Sequence, residues 1–554
     1  MFIDARAHGE AQSFSTTICI VGGGVAGIAL ALNLARQQID VCVLESGGFD
    51  ADPATDDLYC GDNIGIPYAF DCNYRSRFLG GSSNCWAGYN RQMEPLDFVT
   101  RSWVPYSGWP LTAAELQPYY ARTHELLQLG PECFDAEFWG AAISHPRVRR
   151  APFDGKRVVD SFIQFSPPAR MGKVYRHELE HNPYICVFLH ANVVNIASNA
   201  NADAVTQVDV KTLTGRCFAV QARYFVLAAG GIENARLLLA SNRTQATGLG
   251  NGNDLVGRFF MDHPRLHTGV VKLRKPFRGN MLYDIKYQDK SRIVYAHNTS
   301  VAAHFVLTPE TLAAEELLHA RVWLRSVFIG EDTAAVAAMH RFMLTFRGAQ
   351  RNLQPWPDLL TILRDPLSAI GYRLACKLPV RPLLRGIRYE VIAEPDPNPA
   401  NRVTLSQRKA ALGMPRVTVD WHLGPLVRKT YERTLAIVSE ELARAGVADA
   451  VLSTPICADD WDQHVESTWH HMGTTRMHES PAHGVVDRNC KMHHVHNLYV
   501  AGSSVFPTGG GNFPTMTLAA LALRLGDHLA EQIQSENGRE IPTAYRSELI
   551  KSAM

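Results

Sequence analysis

Hydrophobic positions near the start of the chain follow two patterns. Residues 17–21 and 41–44 are short continuous apolar runs of the β-strand type, and residues 28–35 between them repeat apolar positions as a buried helix does. This order predicts a β-α-β unit with parallel strands. At residues 224–231 an apolar run again ends in small residues, and a helical segment follows at 233–239. The small residues favour either a close approach to a bound nucleotide or a plain packing joint between strand and helix.

The turn between the first strand and the helix has the spacing Gly-x-Gly-x-x-Gly, formed by Gly22, Gly24 and Gly27. The first glycine permits a tight turn, the second lets the backbone approach a pyrophosphate, and the third brings helix and strand together. Phosphates would lie at the positive end of the helix. Glu45 follows the second strand, where a carboxylate can accept hydrogen bonds from a ribose diol. The set predicts a dinucleotide site for an unphosphorylated adenosine ribose.

Polar and apolar residues alternate in two later segments, residues 388–394 and 416–421. Such alternation predicts sheet strands with one face packed and the other exposed to solvent. We place a second domain, which would bind the substrate, in this part of the chain.

Length and charge set bounds on the kind of protein. At 554 residues the chain exceeds one ordinary hydrophobic core, so two packed domains are expected. Its 55 basic and 54 acidic residues nearly cancel, which gives no reason to expect nucleic acid as a partner. The first ten residues lack the apolar core of a secretory signal, and no apolar run approaches the roughly 20 residues needed to cross a bilayer. These features predict a cytoplasmic protein without a transmembrane segment.

Cysteine and histidine spacing points to no metal. The eleven cysteines contain no Cys-x-x-Cys pair, and the histidines near the end of the chain lack the spacing of a zinc site. Residues 341–388 are unusual, since they hold nine basic and two acidic residues, a net charge of +7, among leucines and Trp356. This composition fits a substrate lid, or a surface for a partner, an acidic carrier or a membrane. It also fits a solvated face whose leucines pack inward.

Several segments together resemble the glucose-methanol-choline (GMC) oxidoreductases, which oxidise alcohols and sugars with FAD. They are the glycine loop, residues 80–86, residues 257–264 and residues 470–529. Residues 229–234 look most like the pyranose oxidase and FAD sugar dehydrogenase branch of the family.

Pattern and resemblance together predict an α/β fold (α+β overall). A Rossmann-like FAD-binding domain would be discontinuous, made of residues 10–100, 185–265 and 465–535. A substrate-binding or cap domain, built on a mostly antiparallel sheet, would consist of residues 101–184 and 266–464.

The resemblance implies a set of residues that bind FAD. They are Gly22, Gly24, Gly27, Glu45 and Val193 for the ADP half, Gly81, Ser82, Asn84 and Trp86 beside the flavin ring, and Ala501, Gly502, Thr515 and Met516 for the pyrophosphate, ribityl chain and pyrimidine edge. Cys85 stands where some members attach the flavin through a histidine, so a histidyl link is excluded. We expect non-covalent FAD, with a cysteinyl thioether as the minor alternative.

The resemblance also implies the catalytic residues. His470 stands two residues before Met472, at the position of the family's catalytic histidine. A neutral imidazole can take the hydroxyl proton of a substrate while hydride passes to flavin N5. The second catalytic position falls on Phe513, and Asn512 lies one residue upstream. We predict that Asn512 takes this role through the permissive glycines before it; the alternative is an aromatic wall, with His470 acting alone.

The predicted activity is oxidation of a CH–OH group of a sugar, glycoside or other alcohol, with O₂, a quinone or another compound as electron acceptor. The alternative is a non-redox GMC-like enzyme, a lyase or isomerase that retains FAD and uses His470 as acid or base.

Overall fold

The computed structural model describes most of the chain. The described residues are 1–7, 13–70, 74–143, 148, 150–167, 169–267, 280–284, 294–328, 330–346, 355–377, 384–447 and 461–537. Their strands are β1 (Phe2–Asp4), β2 (Ser13–Val21), β3 (Val41–Leu44), β4 (Gly61–Gly65), β5 (Tyr89–Asn90), β6 (Val158–Phe165), β7 (Ile185–Leu189), β8 (Asn192–Ser198), β9 (Val205–Lys211), β10 (Cys217–Leu227), β11 (Arg265–His267), β12 (Val294–Ala296), β13 (Thr299–Leu307), β14 (Ala320–Phe328), β15 (Leu384–Ala393), β16 (Arg402–Lys409), β17 (Pro415–Trp421) and β18 (Leu498–Val500). Their helices are α1 (Val25–Arg36), α2 (Pro53–Asp56), α3 (Pro95–Phe98), α4 (Ala113–Leu126), α5 (Ala136–Ala142), α6 (Met171–Val174), α7 (Arg176–His181), α8 (Gly231–Ala240), α9 (Asn280–Tyr283), α10 (Pro309–Glu315), α11 (Ala334–Phe346), α12 (Pro355–Arg364), α13 (Pro366–Lys377), α14 (Pro425–Arg444) and α15 (Pro514–Asn537).

The predicted β-α-β unit is confirmed as β2, α1 and β3, and it forms the centre of an eight-stranded sheet. The strand order is β1-β7-β3-β2-β10-β9-β8, and β18 pairs with β10. From β1 to β10 neighbouring strands are parallel, as is the β10–β18 pair, whereas β8 and β9 join as an antiparallel extension. The second strand and helix predicted from the sequence are β10 and α8. Because β10 lies directly beside β2, both strand-to-helix turns open at the same edge of the sheet.

A second sheet is antiparallel throughout its described pairings, which confirms the predicted fold class. Its order is β11-β15-β14-β13-β6-β5, and β12 pairs with β13. The predicted strand at 388–394 is β15, but the expected solvent-exposed face is wrong, because Glu390 and Ile392 are buried and line an internal cavity. The polar half of the alternation therefore faces the interior of the protein.

A small third sheet joins distant parts of the chain. β4 pairs in parallel with β17, and β16 pairs with β17 in the opposite direction. Alternate side chains of β17 are buried, as the alternation at 416–421 predicts. β4 belongs to the predicted FAD-binding domain and β17 to the predicted substrate domain, so this sheet crosses the predicted boundary, and the domain division stays a prediction.

The two large sheets share one continuous hydrophobic core with the helices that cover them. The last helix, α15, packs against α1, where Asn33 Nδ2 donates to the carbonyl oxygen of Leu523 at 2.8 Å. Among the described residues, no helix combines the length and the apolar character that crossing a membrane requires.

Candidate active site

A cavity of about 690 Å³ lies between the two large sheets. One wall consists of the turns after β2, β3 and β10, and we call it the nucleotide wall. The opposite wall carries side chains of β11, β14 and β15, namely Arg265, Arg325, Glu390 and Ile392, and we call it the charged wall. Residues 468–471 and 513–515 connect the two walls.

The glycine loop after β2 is shaped by close contacts on two sides. Gly22 has φ +113°, and a Cβ there would lie 2.6 Å from the carbonyl oxygen of Ala228 on the neighbouring turn. A Cβ on Gly27 would lie 2.0 Å from the carbonyl oxygen of Gly22, so α1 can approach β2 only without a side chain there. Gly24 differs, because its Cβ would meet no atom closer than 3.9 Å and would enter the cavity. The open space at Gly24 is where a ligand can approach the backbone at the N-terminus of α1.

Glu45 closes this end of the cavity. Its buried carboxylate accepts hydrogen bonds from the backbone N–H groups of Gly23 and Gly47, at 2.9 and 2.8 Å. These bonds fix the carboxylate beside the glycine loop, and its remaining lone pairs can accept from a diol. A helix N-terminus, an open glycine position and a fixed acid together fit the ADP half of FAD.

Most of the predicted site residues meet at the cavity. Those that line it are Gly22, Gly24, Glu45, Gly81, Ser82, Trp86, Val193, His470, Ala501, Gly502 and Thr515. The structure does not bring the rest to the cavity surface. Gly27 packs α1 on β2, Met516 is buried in α15, and the Asn84 amide donates to the carbonyl oxygen of Leu79 at 3.1 Å.

The segment that carries His470 is organised by one buried carboxylate, Asp262. Its oxygens accept from the hydroxyl groups of Ser467 and Thr468 and from the backbone N–H groups of Trp469 and His470. Four donors on one buried acid fix the backbone of the segment and therefore the direction in which His470 leaves it.

A chain of hydrogen bonds determines the tautomer of His470. Nε2 of His263 lies 2.8 Å from the carbonyl oxygen of Gly510, which can only accept, so Nε2 carries the proton of His263. Nδ1 of His263 is then the acceptor, and Nδ1–H of His470 donates to it at 3.0 Å. His470 is therefore left with an unprotonated Nε2, the ring atom that can accept a proton at the cavity.

Burial and nearby positive charge keep both imidazoles neutral. Burial, assisted by Arg321, lowers the pKa of His263 to about 3. Burial, together with His263 and Arg321, holds the pKa of His470 well below its ordinary value of 6.5. The neighbouring His471 also lines the cavity, but its Nε2 is hydrogen-bonded to the hydroxyl of Tyr68. His470 is thus the histidine whose free lone pair is available.

An aromatic ring lies beside His470 in the cavity. Phe513 lines the cavity, and its ring lies edge-on to His470 with the centroids 6.0 Å apart. The amide of Asn512 instead donates to the carbonyl oxygen of Gln92 at 2.9 Å. The structure therefore does not bring Asn512 together with His470, and the arrangement matches the alternative of an aromatic wall.

Behind Phe513 lies a buried cation. The guanidinium carbon of Arg321 is 4.0 Å from the centroid of the Phe513 ring. Within the described residues, none of its three nitrogens has a hydrogen-bond partner, and burial lowers its pKa to about 9. Arg321 therefore stays charged at neutral pH and disfavours a second positive charge on the nearby imidazoles.

The charged wall holds loosely paired groups. Glu390, whose side chain is 3% exposed, lies 3.9 Å from Arg265, 3.5 Å from Arg325 and 3.7 Å from His267. All three separations exceed a normal hydrogen bond. Groups held in this way retain donors and acceptors for a ligand in the cavity.

An aromatic surface completes the lining. The rings of Tyr74 and Trp469 are stacked, and both line the cavity together with Trp86 and Tyr89. Flat rings beside hydrogen-bonding charged groups suit a ligand with both CH faces and hydroxyl groups.

Several of these residues were not predicted from the sequence. Asp262 and His263 lie within a segment that carries the resemblance, at 257–264, yet no role was predicted for them. An acid and a histidine in a mostly apolar run were a usable signal, since such groups are buried only with partners. Arg265, Arg325 and Glu390 gave no comparable signal, because they are far apart in sequence.

Comparisons with known proteins agree with this geometry. A family profile described as "FAD dependent oxidoreductase" matches residues 17–247, and one described as "GMC oxidoreductase" matches residues 397–522. The chain thus carries an FAD-dependent oxidoreductase domain followed by a GMC oxidoreductase domain. The dinucleotide cradle lies in the part matched by the FAD-dependent profile and is therefore an FAD site.

Several relatives match nearly the whole chain at low identity. It is 23% identical to 2-methyl-1,2-propanediol dehydrogenase of Mycolicibacterium austroafricanum, over 93% of this chain and 95% of that protein. It is 23% identical to the fructose dehydrogenase large subunit of Gluconobacter japonicus, over 94% of this chain and 99% of that protein. A crystal structure of formate oxidase shares the fold, with a TM-score of 0.54 and 16% identity over 95% of this chain and all of that one.

Proposed function

We propose that this protein oxidises a CH–OH group of a sugar, glycoside or similar polyhydroxylated alcohol, with FAD as cofactor and His470 as general base. The observation that carries the proposal is the hydrogen-bond chain from the carbonyl of Gly510 through His263 to Nδ1 of His470, which leaves Nε2 of His470 to accept a proton in the cavity that contains the FAD cradle.

The protein's own groups would handle the proton and the position of the substrate. The flavin, when bound, supplies the two-electron oxidation of the carbinol carbon. Nε2 of His470 takes the hydroxyl proton of the substrate, a transfer typically worth about 10² to 10⁴ in rate. Asp262 and His263 keep the imidazole in place and in the required tautomer. Phe513 occupies space beside His470 and excludes water from that side.

The charged wall supports a substrate with several hydroxyl groups. The Glu390 carboxylate can accept, and the Arg265 and Arg325 guanidinium groups can donate, in the same cavity that His470 lines. The names of the relatives, a diol dehydrogenase and a fructose dehydrogenase subunit, agree with this class of substrate. A simple alcohol would leave these buried polar groups without partners.

We further propose that FAD is held without a covalent bond, because a cysteine, Cys85, stands at the position of the histidyl link. Precipitation with acid should release the flavin into the supernatant. If the wild-type precipitate kept its flavin and the Cys85→Ala precipitate did not, the flavin would be attached through a thioether.

A cytoplasmic location is supported by the eight cysteines whose side chains are described, all of which are free thiols. The proposed acceptors, O₂ and a quinone, are separated by measuring peroxide formation and quinone reduction.

Anaerobic mixing of the holoenzyme with candidate substrates tests the proposed function. The panel contains monosaccharides, aryl glycosides and aliphatic alcohols, and the measurement is the loss of flavin absorbance. We expect rapid bleaching by at least one sugar or glycoside and slow bleaching by simple alcohols. Conversion of a panel compound without any bleaching would contradict the proposal and favour the non-redox alternative.

A further inference from the structure

Two helices that contribute no residue to the cavity lining, α12 and α13, carry a solvent-exposed apolar stripe. It consists of Trp356, Leu360, Leu363, Leu367, Ile370 and Leu374, which are exposed by 74, 56, 63, 81, 56 and 47%. The interpretation in which the leucines of the basic segment pack inward is thus wrong for α12 and α13. Residues 347–354 and 378–383 of that segment lie outside the described residues.

The spacing of the stripe puts its members on one face of each helix. Trp356, Leu360 and Leu363 are four and three residues apart in α12, and Leu367, Ile370 and Leu374 are three and four residues apart in α13. The opposite side carries buried residues, including Asp358, Tyr372 and Ala375. Asp358 forms an ion pair with Arg341 at 2.6 Å. The distribution is therefore the reverse of that on an ordinary surface helix, which turns its charged face to water.

The stripe is not part of the packing that holds these helices together. Phe328, Val336, Tyr372 and Ala375 form a small hydrophobic cluster of their own, separate from the main core. In the sequence the helices α11 to α13 lie between β14 and β15, as an insertion in the antiparallel sheet. Polar substitutions in the stripe should therefore leave the fold intact.

The two helices that carry the stripe also carry exposed arginines. Arg364 and Arg373 are exposed on the same two helices, and the segment 341–388 has a net charge of +7 in the sequence. Both of its acids are engaged, since Asp358 is paired with Arg341 and Asp365 accepts from the backbone N–H of Ser368 at 3.2 Å. A partner of complementary charge must be negative.

We propose that α12 and α13 form a docking surface for an anionic phospholipid bilayer, with the stripe inserted among the lipid chains and the arginines among the headgroups. Large apolar residues that include a tryptophan, flanked by arginines, are typical of helices that lie in the membrane interface. A leucine that is 81% exposed stands on a ridge, and a fluid bilayer can accommodate a ridge without a preformed groove. A second copy of this chain fits less well, because pairing through this face would oppose two segments of like charge.

Flotation of the holoenzyme with lipid vesicles tests this proposal. Vesicles of phosphatidylcholine alone are compared with vesicles of phosphatidylcholine and phosphatidylglycerol in equal parts, at low and high salt. We expect binding to the anionic vesicles, weakened by salt. The double variant Leu363→Glu/Leu367→Glu should lose at least about tenfold in vesicle affinity, because two large apolar groups that would enter the lipid are replaced by charged ones. Ile64→Glu, at a site 54% exposed in β4, is the matched control and should bind like the wild type.

A second measurement tests whether the stripe enters the lipid. Quenching of tryptophan fluorescence by lipids that carry bromine in their chains should fall in Trp356→Phe. Failure of the wild type to bind anionic vesicles would overturn the proposal, as would binding that the leucine substitutions leave unchanged. Sedimentation of the lipid-free protein tests the other possible occupant of the stripe, a second copy of this chain. A dimer that the leucine substitutions abolish would assign the stripe to a second copy and contradict membrane docking.

Discussion

The two walls of the cavity are built in different ways. The nucleotide wall is mainly backbone and small residues, such as Gly22, Gly24 and Gly230, at the ends of parallel strands. The charged wall is made of long side chains, Arg265, Arg325 and Glu390, that project from antiparallel strands. We infer from this difference that shape selects the cofactor on one side and that charge and hydrogen bonding select the substrate on the other. His470 lies between them and is where the two meet.

Substitution of His470 should have the largest effect on turnover and little effect on either wall. His470→Ala removes the proton acceptor, so we expect flavin reduction to slow by about 10² to 10⁴ while the flavin stays bound. The measurement is the rate constant for anaerobic reduction together with the flavin content. His471→Ala is the matched control, and a smaller loss is expected because its Nε2 is engaged by Tyr68. Equal decreases of the reduction rate constant in the two variants would show that His470 has no special role in the reaction.

Substitution of Glu390 should affect the charged wall alone. Glu390→Gln removes a charge from a hydrogen bond to the substrate, an interaction worth about 1.5 to 3 kcal/mol, or roughly ten- to a hundredfold in kcat/KM. The loss should appear with polyhydroxylated substrates and not with simple alcohols. Glu432→Gln in α14, whose side chain is 54% exposed and pairs with Arg428 outside the cavity, serves as the control. The same loss with every substrate would mean that Glu390 acts structurally and not in recognition.

Substitution of Gly24 should affect the nucleotide wall alone. In Gly24→Ala the new Cβ meets no protein atom within 3.9 Å, so the fold should persist, but it occupies space needed for the pyrophosphate. We expect FAD to bind about tenfold more weakly or worse, by analogy with the cost of overpacking, about 1 to 3 kcal/mol. Titration of the apoprotein with FAD measures the loss. Gly371→Ala in α13 has equal room and should bind FAD normally.

Buried neutral histidines beside the charged wall should make the fold sensitive to acid. The pKa of His263 is lowered from 6.5 to about 3, so between these values the unfolded chain binds a proton that the folded protein does not. Stability is fully present above pH 6.5 and falls as the pH drops toward 3, by up to about 1.4 kcal/mol per pH unit for each such group. Burial also lowers the pKa of His304, so His304→Gln should flatten the dependence of Tm on pH. An unchanged dependence would show that His304 does not contribute.

The same contrast explains what the sequence could predict. The glycine loop, β2, α1, β3 and Glu45 were predictable because each depends on residues that are adjacent in the chain. Their spacing reports the local turn directly, so the nucleotide wall could be placed before the fold was known. The position of His470 was predictable only from the family resemblance.

The charged wall could not be predicted, because its chemistry depends on strand pairing. Arg265, Arg325 and Glu390 come from β11, β14 and β15, and only the register of the antiparallel sheet brings them together. The alternation in β15 was read correctly as a strand, but a polar face looks the same in sequence whether it meets water or a polar cavity. The choice between Asn512 and Phe513 could not be made from the sequence for a similar reason, since a one-residue choice in a glycine-rich loop is decided by contacts such as that with Gln92.

The pH dependence of anaerobic flavin reduction in the wild type tests most directly whether a neutral His470 with a free Nε2 is the base. Since the pKa of His470 is held well below 6.5, its lone pair should remain available as the pH falls through that value. We therefore expect the rate constant to stay level through pH 6.5 and to fall only under more acidic conditions. A decline centred at or above pH 6.5 would contradict the account.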